Sequence, residues 1–187
     1  MSKLILLSGG FDSTVLARFQ SPDLALFVDY GQPARIQERA SARAVGRVLK
    51  IPVEEVAVTG LALGSMADAA GVSGPRVVQA RNAILCSIGA NVAASTGLEV
   101  VVIGATANDH ADYADCRAEF FDKMSASSES TSGVRVEAPF VEMSKKEVSD
   151  LAKSLDAPVS SSWSCYSPEG LRPCGSCSSC LERNALS

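Results

Sequence analysis

Lys3-Leu4-Ile5-Leu6-Leu7-Ser8-Gly9-Gly10-Phe11-Asp12-Ser13-Thr14 opens the chain as an apolar run that turns through two glycines. Lys3 to Leu7 has the length and aliphatic content of a short buried strand, and Val15 to Phe19 reads as a helix. Glycines between a strand and a helix let the backbone approach a ligand and adopt positive φ. The helix start offers free N–H groups and a partial positive charge, which suit phosphate oxygens. Ser8, Ser13 and Thr14 add hydroxyl donors. Asp12 is an unusual neighbour for a phosphate unless it helps to hold Mg²⁺. No Gly-Lys-Ser/Thr follows, so this is not a Walker A loop, and it is not the dinucleotide fingerprint.

Further along, the same alternation recurs. Leu24–Val28 reads as a second strand ending at Asp29-Tyr30-Gly31-Gln32, and residues 34 to 49 as an amphipathic helix. Its apolar side is read as Ile36, Ala40, Ala44, Val45, Val48 and Leu49, and Arg35, Glu38, Arg39, Arg43 and Arg47 as a solvated face. Pro52 stops that helix, and Val53–Val58 is a third strand. Residues 59–76 read as a loop or short helix, 81–96 as a helix, Val100–Gly104 as a fourth strand, 116–127 as a helix and Val134–Glu137 as a fifth strand. Ser144 with Glu147 has the spacing of a capping box, opening a helix to about Leu155. The tail from Pro158 reads as irregular. Strands alternating with helices predict an α/β fold, a parallel sheet with helices on both faces. Ligands of such sheets bind at the carboxyl ends of the strands, where the unusual residues fall.

Composition narrows the function. The chain has 187 residues, fitting a single domain (1–187) with a small C-terminal appendage (158–187). Apolar residues make up 47% and aromatics 5%, as in sheets filled by branched aliphatics. The net charge is -4, which favours small-molecule substrates and argues against nucleic acid as a direct partner. No run approaches the roughly 20 apolar residues of a membrane span. Leu4–Leu7 is too short for a signal-peptide core, so a cytoplasmic location is expected.

Of six cysteines, Cys165, Cys174, Cys177 and Cys180 crowd into the tail as C-x8-C-x2-C-x2-C. In a reducing compartment this pattern suggests metal rather than disulfides. Four sulfurs satisfy tetrahedral Zn²⁺ and leave no open position, so the site is structural. An iron–sulfur cluster is the main rival and a redox pair a weaker one. Cys86 lies in an apolar helix and reads as a core residue.

Several strings together resemble one family. Ser8-Gly9-Gly10-Phe11-Asp12-Ser13-Thr14 resembles the SGG-x-DS motif of the PP-loop ATP pyrophosphatases, which have a Rossmann-like fold of the adenine nucleotide alpha hydrolase type. Asp29-Tyr30-Gly31-Gln32, Arg81-Asn82, the Tyr113/Asp115-Cys116-Arg117 region, Glu137, Pro139, Lys145 and the Cys165-Tyr166 tail resemble the 7-cyano-7-deazaguanine synthases. The resemblance spans roughly residues 4 to 184.

The resemblance implies a ligase acting on 7-carboxy-7-deazaguanine. ATP adenylates the carboxylate, ammonia displaces AMP, and a second activation converts the amide to the nitrile. ATP, Zn²⁺ and Mg²⁺ are the implied cofactors and a homodimer the implied assembly. Ser8, Gly9, Gly10, Phe11, Asp12, Ser13 and Thr14 would cradle the phosphates, with Asp29, Tyr30 and Gly31 beside the adenosine. Asp12, Lys145 and Arg81 would serve catalysis, Lys145 as a charge on the leaving pyrophosphate. Arg81, Asn82, Asp109, Tyr113, Asp115 and Arg117 would face the substrate. A carboxylate suits the N–H edge of a deazaguanine and an aromatic ring suits stacking on it. His110 reads as a loop residue rather than a catalyst.

The sequence departs from the family in places. Gln79-Ala80 stands where the family has Pro-Gly, and Ala114 replaces a proline. Ala107-Asn108-Asp109-His110-Ala111-Asp112 replaces a stretch usually rich in Glu, Thr, Ser and Gly. The region 59–76 and the C-terminus are short. These departures leave open a divergent member that stops at the amide or couples the deazapurine to a protein amine. Another PP-loop ligase and a non-catalytic nucleotide-binding module remain as rivals.

Overall fold

Leu4, Ile5 and Leu6 form the centre of β1 (Lys3–Leu6), and their alternation sends neighbours to opposite faces of one sheet. In this computed structural model residues 1–61, 78–110 and 113–186 are described, so most of the loop expected at 59–76 lies outside the described residues. The other strands are β2 (Leu24–Asp29), β3 (Val53–Ala57), β4 (Val100–Val102) and β5 (Arg135–Glu137). All pairings are parallel, in the order β3-β2-β1-β4-β5. The order reverses at β1, which puts a crevice at the carboxyl ends of β1 and β4.

Helices α1 (Phe11–Gln20), α2 (Arg35–Leu49) and α5 (Lys145–Ser154) cover one face. Their Val15, Leu16, Ala42, Val45, Val148 and Ala152 pack on Ile5, Leu7, Ala25 and Phe27. Helices α3 (Arg81–Thr96) and α4 (Ala118–Ser132) cover the other, where Cys86, Ala90, Ala93 and Phe121 meet Leu4, Leu6, Val101 and Val136. The expected α/β sheet with helices on both faces is therefore present. The capping box also forms: Ser144 Oγ accepts from the Glu147 N–H, and Glu147 Oε2 accepts from the Ser144 N–H at 2.7 Å. Cys86 is fully buried, as expected of a core residue. No helix among the described residues is long and apolar enough to cross a membrane.

The inner face of α2 differs from the expectation. Ile36 and Val48 are exposed, and Ser41, Ala42, Val45 and Gly46 are buried instead. The reason is close packing. A Cβ at Gly46 would lie 2.3 Å from Val53 Cγ2, so small residues line the helix where strand and turn approach it. Glu38 is likewise drawn off the solvated face, while Arg39 stays partly exposed on it. Glu38 points inward to Gln32, while Arg39 pairs with Asp29 and Glu55 and lies over the Phe27 ring.

Several boundaries shift, and the first helix starts at Phe11 rather than Val15. β4 ends at Val102 because Gly104 turns in against Asp12 and Ser13. The helix expected at 116–127 becomes a 3-10 turn (Ala114–Cys116), an extended Arg117, and α4 running on to Ser132. In its serine-rich end the Thr131 and Ser132 hydroxyls bond back to the Ser127 and Ser128 carbonyls, and the helix ends where Gly133 turns left-handed. The tail is more ordered than expected, with a 3-10 turn at Val159–Ser161 and helix α6 (Ser178–Leu186).

Candidate functional site

Gly9 sets the shape of the turn after β1. Its φ is +79°, and a Cβ there would lie 2.5 Å from the Glu38 carbonyl oxygen of α2. Only glycine fits so close an approach. Gly10 is extended at the start of α1, and the first intrahelical bond runs from Thr14 N to Gly10 O at 3.0 Å. The N–H groups of the first helical turn precede that bond. Ser8 Oγ lies 3.0 Å from Ser13 Oγ and accepts from Gly10 N at 3.2 Å. The Ser13 and Thr14 hydroxyls lie 3.2 and 2.7 Å from the Gly10 carbonyl, so the turn's hydroxyls gather around that peptide, and Phe11 packs against the core.

Asp12 and Lys145 meet at the start of α1, directly after this turn. Lys145 Nζ donates to Asp12 Oδ2 at 2.5 Å, and both side chains are largely buried. Burial pulls the lysine pKa down, but Asp12 outweighs it by charge and hydrogen bond, so the net shift is upward. The other oxygen, Asp12 Oδ1, is buried with no hydrogen-bond partner. A buried, unpartnered carboxylate oxygen is the kind of ligand a hard cation takes, so Asp12 fits Mg²⁺. Lys145 is held from behind: its backbone N–H donates to Asn108 Oδ1 at 2.9 Å. Asp109 closes its own capping box, accepting from the Thr106 hydroxyl at 2.8 Å.

A second group forms at the end of β2. Asp29 accepts from the Gly31 N–H at 2.9 Å and pairs with Arg39, so its oxygens are engaged within the fold. Beside it an open groove of about 390 Å³ is lined by Tyr30, Gly31, Arg35, Val58 and Gly60. A slightly larger open groove, about 470 Å³, lies at Arg43, Arg47, Lys50 and Pro52, and no expected site residue lines it. Gln32 accepts from Tyr30 N and donates to Glu38 Oε2, both at 2.9 Å. Burial raises the Glu38 pKa, opposed by Gln32 and Arg81. Burial also raises the Tyr30 pKa, opposed by the Arg81 charge and hydrogen bond. Arg81 keeps an exposed surface although its charge is partly desolvated, and Tyr30, which accepts a hydrogen bond from it, Tyr166 and Cys116 act on that charge.

Asn82 and Asp115 bond to each other rather than to open space. Asn82 N donates to Asp115 Oδ2 at 2.8 Å, and its side chain donates to Asp115 O at 2.8 Å and Cys116 Sγ at 3.3 Å. Burial pushes the Cys116 thiol up to about 11. Arg117 is exposed and donates to the His110 carbonyl at 3.1 Å. Tyr113 is partly exposed at the start of the same turn. His110 Nε2 is buried without a partner.

The four tail cysteines come together. Their sulfurs lie within 4.8 Å of one another. Zinc bonded at about 2.3 Å to four sulfurs needs them roughly 3.8 Å apart, so the cluster fits a tetrahedral ion. Cys165 Sγ accepts from Cys174 N at 3.3 Å, and Cys174 Sγ from Cys177 N at 3.4 Å. The Ser176 and Cys177 N–H groups draw the Cys174 thiol down to about 6, favouring a thiolate.

Sequence reasoning did not single out Glu38, Asn108, Ser41, Trp163 or Arg183, which support these groups. Glu38 was hidden by its charge, which reads as solvent-facing until burial is known. Arg183 donates to Val159 O and Ser162 O, both at 2.9 Å, and spacing alone carries no signal for that.

A five-stranded parallel sheet covered by helices on both faces, with a glycine turn after β1 and a four-thiol tail, defines a Rossmann-like α/β protein. The family model "Queuosine biosynthesis protein QueC" matches residues 2–186. The chain is 33% identical to a 7-cyano-7-deazaguanine synthase of Methanospirillum hungatei, covering 98% of this chain and 93% of that protein. It is 36% identical to one of Chlorobium phaeobacteroides, covering 98% and 90%, and 35% identical to one of a Ruegeria species, covering 98% and 87%. The chain belongs to the QueC family.

Proposed function

We propose that this chain is a 7-cyano-7-deazaguanine synthase. The family match over residues 2–186 carries the reading, laid on a chain whose Asp12 and Lys145 meet at the glycine turn. As one domain over 1–187, it binds ATP with Ser8–Thr14 around the phosphates. Magnesium on Asp12 screens phosphate charge when bound. The carboxylate of 7-carboxy-7-deazaguanine attacks the α-phosphorus, and pyrophosphate leaves against the Lys145 ammonium. The carboxylate oxygen, a poor leaving group, is now part of AMP, a good one.

Ammonia then attacks the acyl carbon, AMP departs, and a proton is released to leave the amide. The amide oxygen attacks the α-phosphorus of a second ATP, and a second pyrophosphate leaves. Loss of AMP and of the remaining N–H protons gives the nitrile. Arg81, exposed beside Tyr30, binds the substrate anion or its adenylate. Tyr113, Asp109 and Arg117 border the heterocycle. Asp29, with both oxygens engaged, shapes the adenosine side through Gly31 rather than by a free carboxylate. Asn82 and Asp115 act by fixing the start of α3.

Zinc on Cys165, Cys174, Cys177 and Cys180 holds the tail at 158–187, in keeping with a reducing, cytoplasmic setting. The active assembly is a homodimer, checked by light scattering of the zinc-loaded protein. Incubation with Mg-ATP, ammonium and 7-carboxy-7-deazaguanine tests the reaction. Nitrile with AMP supports the synthase, whereas an amide end product favours the shortened pathway.

A further inference from the structure

The Gly9 carbonyl is held from outside its own loop. Trp163 N donates to it at 2.8 Å, and the Ser41 hydroxyl of α2 lies 2.7 Å from it. Ser41 Oγ is also 2.6 Å from Ser161 O, so its one proton is shared between the turn and the tail. In a trans peptide the C=O and the following N–H point in opposite directions. Fixing the Gly9 oxygen therefore fixes the Gly10 N–H, which donates to Ser8 Oγ at 3.2 Å. Gly9 cannot be stiffened from within, because any side chain there would strike the Glu38 carbonyl. Two glycines in succession leave that peptide plane free to rotate unless something outside holds it.

The segment 159–164 that carries Trp163 is itself tied down by one residue. Arg183 Nη1 donates to Ser162 O at 2.9 Å and Ser162 Oγ at 3.1 Å, and lies 3.3 Å from Ser164 Oγ. Its Nη2 donates to Val159 O at 2.9 Å. Arg183 sits on α6, the helix that also carries Cys180 of the thiol cluster. On the cluster's other side, Trp163 Nε1 donates to Cys165 O at 2.9 Å. A continuous chain of bonds thus runs from the four cysteines to the first glycine of the turn.

We propose that segment 159–164, clamped by Arg183, aims the Gly10 N–H at bound phosphate, which makes Arg183 a positioning residue for nucleotide binding. This rests on the reading that the glycine turn binds phosphate. It gives the metal tail a role beyond its own stability: it sets the angle of a donor peptide in the nucleotide site. The guanidinium fork reaches several acceptors at once, and a lysine ammonium at the same place reaches fewer.

The test uses full-length, zinc-loaded protein and its Arg183→Ala, Arg183→Lys and Ser41→Ala variants. Zinc content and thermal melting report the fold. Affinity for a magnesium-bound non-hydrolysable ATP analogue, and for inorganic pyrophosphate, reports the turn. Trp163 is the sole tryptophan, so its emission reports the segment directly. The expected result is that Arg183→Ala keeps its zinc, shifts Trp163 emission, and weakens both ligands by about tenfold, the scale of one hydrogen bond to an anion. Arg183→Lys recovers part of the loss. Ser41→Ala, outside the tail, weakens binding in the same direction.

Unchanged affinities in Arg183→Ala and Ser41→Ala, with zinc intact, overturn the proposal. If Arg183→Ala fails to fold, Ser41→Ala decides alone, and unchanged affinity there overturns it. Wild-type protein that binds neither ligand overturns both the proposal and the reading of the turn. Wild-type protein that binds both, yet makes no AMP from 7-carboxy-7-deazaguanine and ammonium, overturns the synthase reading only, and the affinity ratio still judges Arg183.

Discussion

Lys145 Nζ lies 2.5 Å from Asp12 Oδ2, tying the first residue of α5 to the first turn of α1. The two are far apart in sequence, and the parallel sheet brings their helix starts to one edge. On the proposed reading, a polyphosphate would compete with Asp12 for the ammonium, and a cation would take up the carboxylate. Lys145→Met should lower the rate of AMP formation by roughly 10²–10³-fold, the scale of losing one preorganised charge at a reacting centre. It should also cost about 1–2 kcal/mol in urea melts, because Asp12 is left without its partner.

The same pair predicts a pH dependence. The Lys145 pKa is raised above its ordinary 10.5 in the folded chain. Its stabilisation is therefore complete below the unfolded value and is lost as pH rises through the higher folded value. Thermal melts across the alkaline range should show this loss in the wild-type chain. Asp12→Asn should be less stable at neutral pH and lose less on the way up.

Arg81 and Asn82 are adjacent and should separate cleanly. Asn82 is buried and makes three hydrogen bonds to Asp115 and Cys116, so Asn82→Ala should cost about 2–3 kcal/mol of stability. Arg81 is solvent-accessible and hydrogen-bonded to Tyr30, so Arg81→Ala should cost only about 1 kcal/mol of stability, while AMP formation falls at least about tenfold. Parallel melting curves and AMP assays check both.

Ala80 carries a cost that the resemblance explains. Its φ is +53°, in the left-handed region, and it stands where the family pattern has a glycine. A non-glycine residue there is strained by about 1–2 kcal/mol, partly offset by the smaller unfolded-state entropy of alanine. Ala80→Gly should stabilise the chain by about 0.5–1 kcal/mol in denaturant titration. Destabilisation would mean that the entropy term outweighs the strain.

Zinc removal should act on the tail first. Cys174→Ser should abolish stoichiometric zinc and expose 158–187 to limited proteolysis. The sheet, whose two cores include none of the four cysteines, should keep its circular dichroism. Cys86→Ala should retain full zinc, since Cys86 lies in the opposite core.

Much of this was legible beforehand, for physical reasons. Leu4 to Leu7 and Val100 to Val102 are aliphatic because the sheet is covered on both faces, and that pattern survives without coordinates. The glycine turn and the four cysteines were legible because their chemistry requires fixed local spacing. The buried face of α2 was not. Ser41 and Gly46 are selected for close approach, which defeats a reading based on apolar spacing, and it left Ile36 and Val48 on the outside. Asn82 and Asp115 matched a motif by residue type, yet their partners proved to be each other. Arg183 was illegible because its acceptors, two backbone carbonyls and two serine hydroxyls about twenty residues away, carry no sequence signature.

The most direct test of the central claim is product analysis by mass spectrometry. Purified zinc-loaded protein is incubated with Mg-ATP, ammonium and 7-carboxy-7-deazaguanine. The account predicts the nitrile, with two AMP released for each nitrile formed. No AMP and no consumption of the carboxylate would contradict it.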